Sequence, residues 1–418
     1  MARKLPSLGI DRSRFRRAQN FGKGQAQGAS GHRVLVVTND FPPRCGGIES
    51  FVKALSDRLV NYAGGDSIVV YTAAMPGAAL VDAELPYPVI RDRSGTLLPT
   101  PRVRRAVVKT FKKYGCDRVL VGSSVPLGLL APTLRAAGAQ RIVALTHGHE
   151  VLWAKMPVLR QMLQRVAGAV DYLTAVTKFT RRGIGRALPP AVARAKQVLL
   201  PPGVDVSVFH PDAGGAEVRA SLGIPIDAPV VVCVARAMPL KGQDRLISAW
   251  PQVLDAVPDA RLVLVGDGKM LDVLHRQAEH LGLGAPAAAT GRSPVVFVGA
   301  VPWEEVPAYM SAGDVFVMLC RSNWWGRAEG IGTVFLEAAA CGKPVIVGRS
   351  GGAPETVVAG VTGYVVNPND LDEGARRIIE LLQNPSKARE MGALGRQQVV
   401  ANYAYDAIAA RCAELLDL

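Results

Sequence analysis

The sequence predicts an α/β protein made of two doubly wound, Rossmann-like units. Three observations predict it. Short apolar runs rich in Val, Ile and Leu recur along the chain and read as strands buried on both faces. Stretches of helical period separate those runs, and alternating strand and helix gives a parallel sheet. Finally, Pro201-Pro202-Gly203-Val204-Asp205 interrupts the alternation with a turn-rich break. A chain of 418 residues also exceeds one ordinary core, so two domains are expected.

Residues 1–31 carry Arg12, Arg14, Arg16 and Arg17, then a Gly/Gln/Ser-rich stretch, and read as a disordered basic arm. The first unit is expected over 32–202. Its strands are Arg33–Thr38, Ser67–Tyr71, Arg118–Val121, Ile142–Leu145 and Tyr172–Val176. Its helices are Ile48–Tyr62, Val103–Tyr114, Leu127–Ala137 and Val158–Val166. The second unit is expected over 203–395. Its strands are Val230–Val234, Arg261–Val265, Val295–Val298, Val315–Leu319, Val345–Val347 and Gly363–Val366. Helices Gln243–Val257, Met270–Leu281, Thr333–Ala340 and Leu371–Leu382 lie between them, and a helical region runs from Pro385 to the end. No complete G-x-G-x-x-G follows a strand, and Gly266-Asp267-Gly268 is only a fragment, so a dehydrogenase is a poor reading.

Composition narrows the class. The chain is 49% hydrophobic and 20% charged, as a soluble globular enzyme is. No apolar run reaches 18 residues, so no membrane span is expected. The basic start lacks the apolar core of a secretory signal. Six scattered cysteines (45, 116, 233, 320, 341 and 412) form no C-x-x-C pair, which argues against structural zinc and disulfides and fits a reducing cytoplasm. Charge is divided unevenly. Residues 1–205 hold 31 Lys+Arg against 12 Asp+Glu, net +19, and residues 206–418 hold 18 against 23, net −5. A basic half of that size predicts a polyanionic partner, either anionic lipid or nucleic acid, with a merely solvated surface as the bland alternative. No nucleic-acid-binding module is recognisable, which favours lipid.

Glu329 and Glu337 stand eight positions apart, with Gly330, Ile331 and Gly332 after the first and Gly342-Lys343-Pro344 ending the segment. On one straight helix they would point ~80° apart. The glycines make a straight helix unfavourable, so Glu329 is expected on an entering loop and Glu337 on the helix body. Backbone N–H groups at the helix start then face an anion flanked by two carboxylates. A nucleotide-sugar has that layout. Arg236 closes the first strand of the second unit and Lys241 follows on the same loop, where two cations can neutralise a diphosphate. Gly46-Gly47 follow the first strand and open the first helix, either as a phosphate cradle or as a tight turn. His147 follows the strand Ile142–Leu145, at the end of the sheet where ligands bind. His147 and His149 have no third partner for a metal, and Asp370-Leu371-Asp372 opens a helix and reads as a cap, so no metal is expected.

Four blocks appear in order: Asn39-Asp40-Phe41-Pro42-Pro43-Arg44-Cys45-Gly46-Gly47-Ile48, Thr146-His147-Gly148-His149-Glu150, Arg236-Ala237-Met238-Pro239-Leu240-Lys241-Gly242-Gln243-Asp244, and Glu329 to Glu337. Together they resemble the retaining glycosyltransferases of the GT-B fold, family 4, over nearly the whole chain from Arg33. Within that family the chain looks most like actinobacterial GDP-mannose-dependent phosphatidylinositol mannosyltransferases. The resemblance implies two Rossmann-like domains facing across a cleft, with a last helix over 396–418 crossing back to the first. It implies that Arg236 and Lys241 hold the donor diphosphate, with Gly46 and Gly47 lying against it. It further implies that Glu329 holds the donor sugar beside Gly330, Ile331 and Gly332, that Glu337 binds the ribose, and that His147 lies near the anomeric carbon. Asp40, Arg44 and Glu150 are the candidate acceptor contacts, and Asp40 is open to the alternative of capping a turn.

The implied reaction moves a hexose, mannose from GDP-mannose, to a membrane glycolipid such as a phosphatidylinositol mannoside. No cofactor or metal is implied, and the implied place is the inner face of the plasma membrane. A basic helix fits that place: Arg102, Arg104, Arg105, Lys109, Lys112 and Lys113 surround an apolar stripe of Val103, Ala106, Val107, Thr110 and Tyr114. The alternative is an ordinary Rossmann helix with one solvated face. Other readings are a UDP-sugar donor, a soluble acceptor, a GT-B 2-epimerase, and a non-enzymatic lipid-binding scaffold. Retention of Arg236, Lys241, Glu329 and Glu337 argues against the scaffold. One segment departs from the family pattern: Ser322-Asn323-Trp324-Trp325-Gly326-Arg327-Ala328 stands where a glycine-rich, acidic stretch is expected.

Overall fold

The computed structural model describes residues 31–418 except 45, 65, 285–292 and 325. The expected arm, apart from Gly31, and Cys45 lie outside the described residues. The chain forms two compact units. One runs to Gly203 and takes in Tyr405–Leu418, and the other is Val204–Ala404.

The first unit is a seven-stranded, wholly parallel sheet of β1 (Val34–Thr38), β2 (Ile68–Ala73), β3 (Val89–Asp92), β4 (Arg118–Val121), β5 (Arg141–Ala144), β6 (Tyr172–Ala175) and β7 (Gln197–Leu199), in the order β3-β2-β1-β4-β5-β6-β7. Side chains alternate across β1 with the period of two that a strand imposes. Val34 and Val36 join Phe51, Leu55 and Leu59 of the helix Gly47–Ala63 and Ile408 and Cys412 of Tyr405–Leu416. Leu35 and Val37 join Val103, Val107 and Phe111 of the helix Pro101–Lys113 and Leu163 and Val166 of Pro157–Ala169. The sheet is therefore buried on both faces, which is why its central strands are continuously apolar.

The basic helix is corrected by this packing. Val103, Val107, Thr110 and Phe111 are buried, with Ala106 and Tyr114 packed beside them, so its apolar stripe is spent on the core. Its two half-buried cations are also committed. Arg102 donates to both oxygens of Asp92 at 2.7 and 3.0 Å, which with Tyr71 O–H holds that carboxyl far below its usual range. Arg104 donates to the Pro99 carbonyl at 3.0 Å. Arg105, Lys109, Lys112 and Lys113 are exposed.

The second unit is a six-stranded parallel sheet of β8 (Val230–Val234), β9 (Arg261–Val265), β10 (Val295–Gly299), β11 (Val315–Met318), β12 (Val345–Gly348) and β13 (Gly363–Val366), in the order β10-β9-β8-β11-β12-β13. Helix Gln243–Ala256 packs on Leu371–Leu382, and Thr333–Ala340 packs on Pro385–Asn402. The final helical region is not continuous. Helix Pro385–Asn402 stays with the second unit, and the chain rejoins the first at Tyr405 rather than at 396. No helix among the described residues is long and apolar enough to cross a membrane.

Strand order reverses at β1/β4 in the first unit and at β8/β11 in the second. At such a switch point the loops leaving the two central strands diverge and open a crevice at the C-terminal ends of the strands. The loops that leave these four strands are 39–46, 122–126, 235–242 and 319–332. They include Asp40, Arg44, Gly46, Arg236, Lys241 and Glu329 to Gly332.

Candidate active site

In the first unit, the loop after β5 is built around a buried acid. Glu150 has no exposed surface. Its carboxylate accepts the amide N–H of His147 at 3.1 Å and of Gly148 at 2.9 Å, and Ser124 Oγ lies at 3.4 Å. Gly148, at φ +103, supplies the left-handed backbone this turn needs. Glu150 was expected at an acceptor. That expectation is corrected, because the carboxylate is already taken up by the backbone that positions His147.

The half-buried His147 places Nε2 2.6 Å from the carbonyl oxygen of Gly122, on the loop after β4. A carbonyl only accepts, so Nε2 carries the proton. Burial pushes the ring below the usual histidine range, against the opposing pull of Glu150, so the ring is neutral and Nδ1 is its lone-pair nitrogen. Phe51 meets the His147 ring edge-on at 6.3 Å, which brings the first helix to this site. That helix starts at Gly47 without a capping side-chain hydrogen bond and with Gly46 and Gly47 exposed, and the Glu49 carboxylate of its first turn folds back against Gly46. Asp40 sits in a turn that Thr38 holds: Thr38 Oγ1 accepts from the Asp40 amide at 2.9 Å and donates to its carbonyl at 3.2 Å. The Asp40 carboxylate is thus not the group that closes the turn, and no described residue pairs it. Its charge acts on His147. Arg44 is exposed.

In the second unit, the loop after β8 carries Arg236 exposed at the strand end and Lys241 in the short 3-10 turn Pro239–Lys241. Gly242 ends that turn at φ +72, and a Cβ there would collide with the Leu319 carbonyl. The loop is pinned from three sides. Gln243 donates to the carbonyls of Ala235 and Arg236 at 3.1 and 3.2 Å, the Arg321 amide donates to Leu240 at 2.9 Å, and the Arg321 guanidinium reaches Asp244 at 2.8 Å.

Lys241 Nζ donates to Glu329 Oε2 at 2.6 Å, with the two side chains only 20% and 19% exposed. Glu329 is itself fixed. Its amide donates to Ser350 Oγ at 3.3 Å, and its carbonyl accepts from Gly352 N at 2.9 Å. Helix Thr333–Ala340 then begins from Gly332, at φ +74 and without a capping side chain. Glu329 therefore lies on the entering loop and Glu337 on the helix. Glu337 is half-buried, no described residue pairs its carboxylate, and burial pushes its carboxyl up to about 7.

Each unit thus gathers its own set: Asp40, the Gly46-Gly47 helix start and His147 in the first, and Arg236, Lys241, Glu329, Gly332 and Glu337 in the second. Ser350, Gly351 and Gly352 support Glu329 from the exit of β12 and were missed in the sequence. Their signal was a Ser-Gly-Gly one residue after a buried strand. Arg321 was also missed, and Gln243 and Asp244 were seen only as members of the third block and not as its braces, because only the fold brings the exit of β11 against the loop after β8. Asp370 accepts from the Glu373 amide at 2.8 Å and caps the helix Leu371–Leu382.

Residues 45–208 match the family described as Glycosyltransferase Family 4, and residues 216–398 match Glycosyl transferases group 1. The chain is 42% identical over 388 residues to a GDP-mannose-dependent alpha-(1-6)-phosphatidylinositol monomannoside mannosyltransferase of Mycolicibacterium smegmatis, covering 92% of this chain and 98% of that one. It is 38% identical over 393 residues to the GDP-mannose-dependent monoacylated alpha-(1-6)-phosphatidylinositol monomannoside mannosyltransferase of Corynebacterium glutamicum, covering 93% and 98%. Among solved structures, sucrose-phosphate synthase of Thermosynechococcus elongatus superposes with a TM-score of 0.71 at 23% identity, covering 92% of this chain and 98% of that one. At that identity the likeness speaks for the fold alone.

Proposed function

The chain belongs to the family 4 glycosyltransferases, and on that premise we propose that it transfers mannose from GDP-mannose to a phosphatidylinositol mannoside with retention of the α configuration. The observation that carries the reading is the end-to-end likeness to the Mycolicibacterium and Corynebacterium enzymes. The geometry supports it. Arg236 and Lys241 supply positive charge for a diphosphate, the bare helix start at Gly332 adds amides, and Glu337 offers an acceptor for ribose hydroxyls.

In this reading the anomeric C–O bond to the diphosphate breaks while an acceptor hydroxyl bonds to the same face of that carbon. The departing diphosphate takes the hydroxyl proton and leaves as GDP. Lys241 and Arg236 stabilise the charge that develops on the leaving oxygen. Glu329 is tied to Lys241 at 2.6 Å, which suits it to orienting the sugar better than to attacking it. Neutral His147 offers a hydrogen bond to the sugar without adding a positive charge beside a forming oxocarbenium ion. No metal is required. The enzyme works at the cytoplasmic face of the membrane, held by the exposed Arg105, Lys109, Lys112 and Lys113.

The test is transfer to phosphatidylinositol monomannoside from GDP-mannose, UDP-glucose and ADP-glucose, with and without a chelator. The expected result is turnover with GDP-mannose alone, untouched by the chelator, and an α-linked product by NMR. A β-linked product, or preference for a UDP-sugar, would overturn the reading.

A further inference from the structure

The second sheet has another opening at the end opposite Arg236 and Lys241, where its strands begin. Pro229, Asp314 and Pro344 directly precede β8, β11 and β12, and all three line a cavity of about 350 Å³. The end of helix Leu371–Leu382 and the first turn of helix Pro385–Asn402 also line it. Two cations reach this space, Lys343 and Arg389, and no described carboxylate or carbonyl pairs either one. Arg389 is exposed and Lys343 is half-buried. Burial lowers the Lys343 ammonium below the usual lysine range, against the pull of Asp314. Asp314 is spent elsewhere: its Oδ2 accepts from Arg219 Nη2 at 3.0 Å and from the Val230 amide at 2.8 Å. Asp227, the other carboxylate of the cavity, is exposed. The helix that begins at Pro385 has no side-chain cap, because Asn384 Nδ2 donates back to the Glu380 carbonyl at 2.7 Å.

Lys343 and Arg389 also line an adjoining groove of about 650 Å³. Arg389, Ala393, Arg396 and Val400 are spaced three and four residues apart, so one face of helix Pro385–Asn402 forms its wall. Pro211, Ala393, Val400 and Ala401 make the lining largely apolar. Arg396 adds a third cation, with one guanidinium nitrogen given to the Phe209 and Ala340 carbonyls. No carboxylate lines this groove among the described residues. A partly buried amine without a partner is unfavourable, and a bound anion offsets that cost. A phosphomonoester brings two charges and three acceptor oxygens, which suit an ammonium, a guanidinium and the positive end of a helix. We propose that this is a binding site for a small organic phosphate, with the phosphoryl group held by Lys343 and Arg389 and the organic part lying along the apolar groove. The site stands apart from the sheet end that carries Arg236, Lys241 and Glu329, whichever donor that end takes.

The experiment is calorimetric titration of the full chain with phenyl phosphate, inorganic phosphate and phenol. Phosphates also suit the Arg236/Lys241 loop, so that site is controlled twice, by saturating GDP and in Lys241→Ala. The expected result is one phenyl phosphate bound under both controls, at least about fivefold more tightly than inorganic phosphate, and no binding of phenol. Lys343→Met and Arg389→Met should each weaken phenyl phosphate about tenfold, with Arg389→Lys recovering part of the loss. GDP affinity should stay within about twofold in all three. Arg389 is exposed, so Arg389→Met keeps the test valid even where Lys343→Met disturbs the fold. Binding that GDP displaces, or that Lys241→Ala removes, belongs to the donor site and overturns the proposal. So does phenyl phosphate that fails to bind, or that binds unchanged in the two Met variants. Equal affinity for phenyl phosphate and inorganic phosphate overturns it as well, because the groove then takes no organic part.

Discussion

The two units handle charge in opposite ways. The first half of the chain carries net +19, yet the sheet-end set it gathers holds no cation: the histidine is uncharged, Asp40 is acidic, and the buried Glu150 is satisfied by backbone amides. The second half carries net −5, yet its site sets out an exposed Arg236 and a Lys241–Glu329 pair. Global charge and site charge are therefore separate quantities. Among the described residues of the first unit, Arg105, Lys109, Lys112 and Lys113 lie exposed on one helix, where their charge acts at long range on a surface. In the second unit's site Lys241 is largely buried, where its charge counts for more than that of the exposed Arg236. A group fixed by the protein's own hydrogen bonds needs no ligand to place it, whereas an internal ion pair must be remade when a diphosphate arrives.

The comparison predicts its largest effect at Lys241. Lys241→Ala should lower kcat/KM by about 10²–10³, the usual cost of losing a group aimed at developing charge. Because Lys241 and Glu329 hold each other, Lys241→Ala with Glu329→Ala should lose far less than the product of the single losses. Steady-state kinetics of the three variants check both statements, and additive losses would show that the 2.6 Å pair has no functional weight.

Next in size is the outside of the first unit. Reversing Arg105, Lys109, Lys112 and Lys113 to Glu should weaken binding to phosphatidylinositol vesicles at least about 100-fold and leave GDP affinity unchanged, and added salt should weaken the wild type in the same direction. Adding Arg102→Ala to the set should change vesicle binding little, because that side chain is held by Asp92. Equal pelleting of wild type and the reversed variant would reduce the helix to a solvated face.

A smaller loss is expected from the buried acid. Glu150→Ala strands two amides and should lower kcat about 10- to 30-fold and stability by about 2–3 kcal/mol, whereas Glu150→Gln keeps an acceptor and should recover most of both. Donor KM should hold steady in each, since Glu150 acts through His147. A fall in stability with kcat intact would leave it a purely structural residue.

How much of this was legible in the sequence depends on which force places the residue. The central strands were readable because burial on both faces demands continuous apolar runs, and β8 and β9 fall where expected. Edge strands β3 (Val89–Asp92) and β7 (Gln197–Leu199) were missed because an edge needs fewer apolar residues, and both carry polar ones. The helix break at Tyr403-Ala404 has no Gly or Pro to announce it and is imposed by a tertiary contact, Val204 N to the Tyr403 carbonyl at 2.8 Å. Site residues on the four motif blocks were visible as motifs, but their partners were not. Nothing local in Glu150 says that it faces its own backbone. Nothing local in Arg102 says that Asp92, on the missed strand β3, will claim it.

The smallest effect, and the one that separates the two sites most finely, concerns Glu337. Its carboxyl is pushed up to about 7 by burial, with no cation paired to it, unlike Glu329. In the unfolded chain the same group titrates near 4.5. Between those values the folded protein holds a proton that the unfolded chain has released, so the stability contribution is full below the lower value and is lost as pH rises through the upper one. The loss should be on the order of 1–2 kcal/mol after allowance for partial exposure. It should vanish in Glu337→Gln, which stays neutral throughout. Nucleotide binding should run the other way. A carboxylate accepts ribose hydroxyl hydrogens better than the neutral acid does, so GDP affinity should rise by about three- to fivefold from pH 6 to 8 in the wild type. The variant's affinity should stay flat and fall below wild type at pH 8. Calorimetric titration with GDP at the two pH values reads this directly. Parallel pH curves for the two proteins would mean that Glu337 does not meet the nucleotide as a carboxylate, and the division between a paired and an unpaired glutamate in this site would lose its functional meaning.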